Sequence, residues 1–183
     1  KVRAKEILKF GPEESQIENM VVLANYVSSL NFKTKTPNWV LEHYSEKQMN
    51  GKGDRTGVDF FADETIPELF RANNQDYFKS GYSRGHCAAA SNHKVTQEAM
   101  RDTFNLSANI VPQDYKHNAF YWHRFEIYAR DLAKQFDNVY VATGPLWLPQ
   151  VEQGNGEKRF VKYRVIGTND VAVPTHMFKV IYV

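Results

Sequence analysis

The sequence predicts an α+β fold, a mainly antiparallel β-sheet with packed helices. Runs rich in β-branched and aromatic residues occupy positions 20 to 45, one long segment from Asn118 to Phe136 has helical periodicity, and three more strand-like runs follow it. Strands gathered before and after a helix, rather than alternating with helices, point away from a parallel sheet.

Taken in order, Val2 to Phe10 carries apolar side chains at helical spacing and stops at Gly11-Pro12, which predicts a short opening helix. "MVVLANYVSSL" and "PNWVLEHYS", joined by the turn-like "NFKTKTP", predict a hairpin. "GKGDRTG", residues 51–57, is a polar loop, and the acidic, Pro and Asn residues from Asp59 to Asp76 predict irregular chain with short helical turns. "VTQEAMRDTF" suits a brief helix capped by Thr96. Along the longest helix Trp122, Phe125, Ala129, Leu132 and Phe136 recur at steps of three and four, which predicts one buried face. "NVYVATG", "FVKYRVIG" and "VAVPTHMFKVIYV" predict strands, with the polar loop "VEQGNGEKR" between the first two.

At 183 residues the chain is long enough to bury a core, and one domain over residues 1–183 is expected. No run approaches the roughly 18 consecutive apolar residues of a membrane span. A net charge of +2 permits a polyanionic partner without demanding one. Cys87 is the only cysteine, which excludes an intrachain disulfide and favours a reducing compartment. The opening "KVRAKEIL" and the strand-like "HMFKVIYV" at the end make both ends read as trimmed.

Chemistry concentrates in two places. In "YSRGHCAAASNHK", residues 82–94, Gly85 lets the backbone aim Arg84 and His86 at one point, while Ala88 to Ala90 allow close packing behind. An isolated Arg-Gly-His is also what a simple turn looks like. On the long helix Asn118, Trp122, Glu126 and Arg130 are four apart, and each step of four advances only about 40° around the axis, so they share a stripe. Either that stripe is a solvated ion pair or, because an indole sits within it, the lining of a cleft. In the second case His86 is a general base with a near-neutral pKa. The Asn118 amide then holds Mg²⁺, Glu126 orders its water, and Arg84 and Arg130 offset the charge of a phosphorane. No paired spacing among the histidines suggests zinc. His117 and His123 are expected in solvent, His93 either approaches the site or caps the next helix, and Cys87 either packs or serves as an oxidisable control point.

"SRGHCAAASNHK", "NIVPQDYKHNAFYWHRFEIYAR", "VATGPLWLP" and "VKYRVIG" followed by "VAVPTHMFKVI" resemble the DNA/RNA non-specific nucleases with a ββα-metal (His-Me finger) site, within them the mitochondrial endonuclease-G and exonuclease-G-like branch. The resemblance implies His86 as general base, Asn118 as the direct protein ligand to Mg²⁺, with Mn²⁺ as a substitute, and Glu126 holding the water shell. It places Arg84, Arg130 and, in "GKGDRTG", Arg55 as phosphate-contacting arginines. Asn109 and Gln113 are family motif positions on the nucleic-acid side. Ser83 departs from the aspartate usual there, as in the exonuclease-G-like branch. A sugar-non-specific endonuclease acting on DNA and RNA, a homodimer, a protein inhibitor and a mitochondrial location are implied. The alternatives are a mainly 5′-exonuclease, a catalytically silent nucleic-acid-binding relative, and a protein-interaction scaffold.

Overall fold

The structure, a computed structural model, describes residues 2–13, 17–152 and 158–183. Helix α1 (Val2–Ile7) runs into a 3₁₀ turn at Leu8–Phe10 and stops at Gly11. Strands β1 (Met20–Val22), β2 (Tyr26–Asn31) and β3 (Thr36–Tyr44) precede the one-turn helix α2 (Glu46–Met49). After the 51–57 loop come α3 (Asn74–Tyr77), β4 (Ser83–His86), α4 (Gln97–Asp102), α5 (Leu106–Asn109) and β5 (Ile110–Gln113). A π-helical turn at His117–Trp122 leads into α6 (His123–Leu132). The chain finishes with β6 (Val139–Leu146), β7 (Gln150–Glu152), β8 (Lys158–Phe160), β9 (Val165–Ile166), β10 (Val171–Ala172) and β11 (His176–Tyr182).

The main sheet has the order β1-β2-β3-β6-β11 and is antiparallel throughout. Its pleat sends alternate residues to two faces. On one face Val27, Trp39 and Leu41 pack against Ala4 and Ile7 of α1. On the other, Tyr26, Leu30 and Val40 meet Cys87, Ala88, Ala108 and Val111 from the β4–β5 layer, while Tyr44, Val139 and Val141 meet Ala129 and Ala133 at the end of α6. The second face therefore fixes both chemical segments of the sequence against one rigid surface.

Between these layers lies a buried polar network. His93 Nε2 is 2.7 Å from Glu42 Oε1, its Nδ1 is 3.2 Å from Asn25 Nδ2, and Tyr44 donates to the same Glu42 oxygen. Asn92 donates to the Tyr44 hydroxyl and accepts from Arg130 at 2.8 Å. His93 thus neither caps the following helix nor reaches the site. It is fully buried between β3 and the start of β2, and Thr96 caps α4 by accepting from the Ala99 amide at 3.0 Å.

Several sequence expectations change. "MVVLANYVSSL" divides at a turn closed by the Leu23 amide on the Tyr26 carbonyl, so the hairpin becomes a three-stranded meander. "FVKYRVIG" is not one strand, because only its ends join the short β7–β8 and β9–β10 pairs. The centre of the expected 151–159 loop, residues 153–157, lies outside the described residues. On α6 the buried stripe is narrow, with Phe125 52% and Phe136 45% exposed. Small residues, Ala129 and Ala133, do the packing, and Phe136 falls beyond the helix end at Leu132.

His93→Phe takes one of two hydrogen bonds from Glu42 Oε1 and leaves Asn25 Nδ2 without its partner in the core, and is expected to cost about 1–3 kcal/mol for the orphaned group. Lys134→Ala removes an exposed ion pair with Asp131 and is expected to change stability by less than about 0.5 kcal/mol. Urea denaturation of the two variants measures both.

Candidate active site

Strands β4 and β5 pair with Gly85 opposite Val111 and His86 opposite Ile110. A Cβ at Gly85 would lie 2.3 Å from Cδ of Gln113, so only glycine lets that amide lie flat under the strand. Beyond the ladder, the backbone of residues 86–88 is held on every side. The Cys87 amide donates to the Asn109 carbonyl at 2.9 Å, and the Ala88 amide donates to Asn109 Oδ1 at 2.7 Å. Asn109 Nδ2 returns bonds to the Ala88 and Thr103 carbonyls at 2.9 and 2.7 Å. The Trp122 indole donates to the His86 carbonyl at 3.0 Å. Lys179 of β11 donates to the Cys87 carbonyl at 3.3 Å and to Thr143 Oγ1 at 2.6 Å, with its ammonium 5.1 Å from the Trp122 ring centroid.

Three cavities adjoin along this surface. The central one, about 290 Å³, is walled by His86, Glu126, His123, Arg55, Asp54 and Lys94. It shares Arg55 with a cavity of about 460 Å³ that Arg84 also lines. It shares Lys94 with a cavity of about 480 Å³ that holds Arg130 and Lys134. Together they make a continuous path with cations in every section. The 51–57 loop carries Arg55 into it because Gly51 comes so close to Lys94 that a Cβ would sit 2.0 Å from the Lys94 carbonyl oxygen, and because the Gly53 amide bonds that oxygen at 2.9 Å.

His86 is the unusual titrating group of the path. Its ring packs against Phe60 and Phe104 at 5.3 and 5.1 Å, and Nε2 is buried with no hydrogen-bond partner among the described residues. Burial, helped by the positive charge of Arg55 and by His93, pushes its pKa down to about 3. The imidazole is therefore neutral at physiological pH with a lone pair available, but its pKa is not the near-neutral one expected from the sequence: burial lowers it, and a base works best with a pKa close to the operating pH. Glu126, its side chain 14% exposed, is shifted the other way: burial raises it, while Lys179 and His123, 3.4 Å away, lower it. Burial pushes the Cys87 thiol up to about 12, so it packs as a thiol and is no oxidisable control point.

The sequence-derived residues separate into two groups. His86, Glu126 and Arg55 share the central cavity, and Arg84 and Arg130 line the cavities on either side, Arg130 while donating to Ser91 and Asn92. Asn118 is half-buried on the π turn preceding Trp122 and lines none of the three cavities. Asn109 and Gln113 do not sit on a nucleic-acid surface. Asn109 is fully buried with its amide committed to backbone, and Gln113 is shut beneath Gly85. His123 stands at the site mouth, and His117 packs against Trp122 at 5.4 Å instead of facing open solvent. Lys179 and the Trp122 indole were not singled out as positioning groups; the only sequence cue was the indole within a polar stripe. For a cation, the oxygen donors of His86's cavity include the Glu126 carboxylate; the Asn118 amide lies outside that cavity's lining. No trio of His, Cys, Asp or Glu gathers among the described residues.

Because the folded His86 resists protonation, its contribution to stability is complete above about pH 6.5 and is lost as pH falls toward about 3. A His86→Gln variant is expected to lose thermal stability less steeply between pH 7 and pH 4 than the parent protein, as melting temperature against pH will show. Equal slopes would mean that the ring protonates as freely as in the unfolded chain.

The family model for DNA/RNA non-specific endonuclease matches residues 3–183. The chain is 46% identical over 173 residues to the zebrafish (Danio rerio) "Nuclease EXOG, mitochondrial", covering 94% of this chain and 49% of that protein. It is 44% identical over 177 residues to the human "Endonuclease G, mitochondrial", covering 96% and 58%. The chain thus spans about half the length of the curated relatives it matches. Its fold superposes on the crystal structure of the EndoG/EndoGI complex with a TM-score of 0.91 and 43% identity, over 98% of this chain and 72% of that one. The chain belongs to the DNA/RNA non-specific endonuclease family.

Proposed function

We propose that the protein is a Mg²⁺-dependent, sugar-non-specific endonuclease that hydrolyses phosphodiester bonds of DNA and RNA in the mitochondrion, with His86 as the general base. The observation that carries this reading is a neutral, unpaired imidazole in the middle of a cation-lined path, in a chain whose relatives are named mitochondrial nucleases. With its proton on Nε2, His86 uses Nδ1 to take the proton of the attacking water. Arg55 and Arg84 on one side, and Arg130 on the other, offset the charge of the phosphates that flank the scissile bond. Glu126, in the cavity of His86, would hold the divalent cation through its water, Mg²⁺ with Mn²⁺ as a substitute, and Asn118 would have to turn toward that cavity to ligate it directly. When bound, that ion supplies positive charge to the scissile phosphate and its leaving oxygen. Contacts confined to phosphate and sugar give no sequence preference. A homodimer and a proteinaceous inhibitor belong to the same proposal, the latter supported by the fold shared with a nuclease solved in an inhibitor complex.

Incubation of closed-circular plasmid, end-labelled linear DNA and RNA with Mg²⁺, with EDTA, and with the His86→Ala variant tests the reading. Cleavage of all three substrates is expected from the parent protein, none in EDTA, and a loss of about 100-fold or more with His86→Ala. Degradation of linear DNA with the circle intact would replace the endonuclease by a 5′-exonuclease, and cleavage indifferent to His86→Ala would remove the mechanism.

A further inference from the structure

The cavity of about 460 Å³ beside Arg84 has a polar and aromatic wall as well as a cationic one. Beyond Arg55 and Arg84 it is lined by Asn74, Gln75 and Phe78, with no carboxylate on its wall. Phe78 is a large aromatic ring left 63% exposed at its lip. The next residue, Lys79, holds a left-handed backbone at φ 54°, unusual for a residue with a side chain, and Gly81 follows at φ 85°. This turn is anchored on a rigid base. Asn73 and Asp76 form a capping box on α3, and the buried Asp76 carboxylate also accepts from the Asn169 amide and side chain, each at 3.1 Å. Arg84 is itself held in place, donating to Asn74 Oδ1 at 2.6 Å with its guanidinium 4.6 Å above the Phe60 ring. Lys79 adds a third cation, 5.2 Å from the Phe78 ring centroid.

We propose that the 78–81 turn builds a base-stacking subsite, in which Phe78 receives an unpaired nucleobase of single-stranded DNA or RNA while Arg84 and Arg55 hold the adjoining phosphate. This deepens the nuclease reading above and rests on it. An exposed ring beside a cationic groove is the combination that binds single strands without reading sequence, since every base offers a face to stack upon. In a duplex the bases already stack on one another and the ring has none to receive. Phe78 follows directly on α3, whose Asp76 and Tyr77 are buried, while its own ring is left outside.

The test is binding of short fluorescent oligonucleotides, single-stranded and duplex, by anisotropy in EDTA so that no cleavage occurs. Phe78→Ala is expected to weaken single-strand binding about tenfold, equivalent to about 1.4 kcal/mol, and to lower the ratio of single-strand to duplex affinity by a similar factor. Phe78→Trp is expected to stay within about twofold of the parent, since it keeps the stacking face. Single-strand affinity unchanged by Phe78→Ala, or an equal loss on both substrates, would overturn the subsite while leaving the nuclease reading standing. No binding of either substrate by the parent protein would overturn both.

Discussion

The hydrogen bonds that hold the backbone of residues 86–88 are the constraint on which the remaining structure depends. Three segments far apart in sequence supply them: Asn109 at the end of α5, Trp122 at the end of the π turn, and Lys179 in β11. None of the three is a surface decoration. Each is placed by an element of the fold, Asn109 by the α5–β5 junction, Trp122 by its burial under β4, and Lys179 by its pairing with Thr143 across the β6–β11 ladder. A fold that brings a helix, a short ladder and the last strand of a five-stranded sheet to one tripeptide spends much of its conformational freedom on a single backbone position. The side chain at that position is His86.

The electrostatics follow from the same placement. Burial against Phe60 and Phe104 costs His86 its charge, and the nearby Arg55 deepens the effect, so the ring is a neutral acceptor among cations. A carboxylate in this location would be neutralised by the same burial, as the upward shift of Glu126 illustrates. Lys179 meets both needs at once, fixing the Cys87 carbonyl and supplying the charge that pulls Glu126 back toward ionisation. The cations at the two flanks, Arg84 and Arg130, have their guanidinium groups anchored to neutral oxygens of Asn74, Ser91 and Asn92 instead of carboxylates, which leaves their charge available to a polyanion.

The sheet, the brief α4 with its Thr96 cap, and the closeness of His86 and Glu126, which line one cavity, were legible from alternation, capping chemistry and clustering. What was not legible depends on tertiary contact. Asn109 looks like a free amide in "NIVPQD", yet it is buried and its amide is committed to backbone, and Gln113 is buried too, its Oε1 3.3 Å from the His117 ring nitrogen Nδ1. The split of β1 from β2 follows from Asn25, which bonds Arg3 and His93 from two distant segments. The four-residue spacing from Asn118 to Trp122 spans a π turn, whose altered pitch no periodicity count detects. Lys179 is a lysine in an alternating strand, indistinguishable in sequence from one facing solvent.

The central claim is that His86 works because its backbone is clamped. Trp122→Phe keeps the buried aromatic volume and removes only the N–H that reaches the His86 carbonyl, so single-turnover cleavage by this variant is the most direct measurement. A rate about 10- to 100-fold lower at unchanged substrate affinity is expected, the penalty for a small misplacement of a reacting group. A rate within about twofold of the parent would show that the clamp does not position the base.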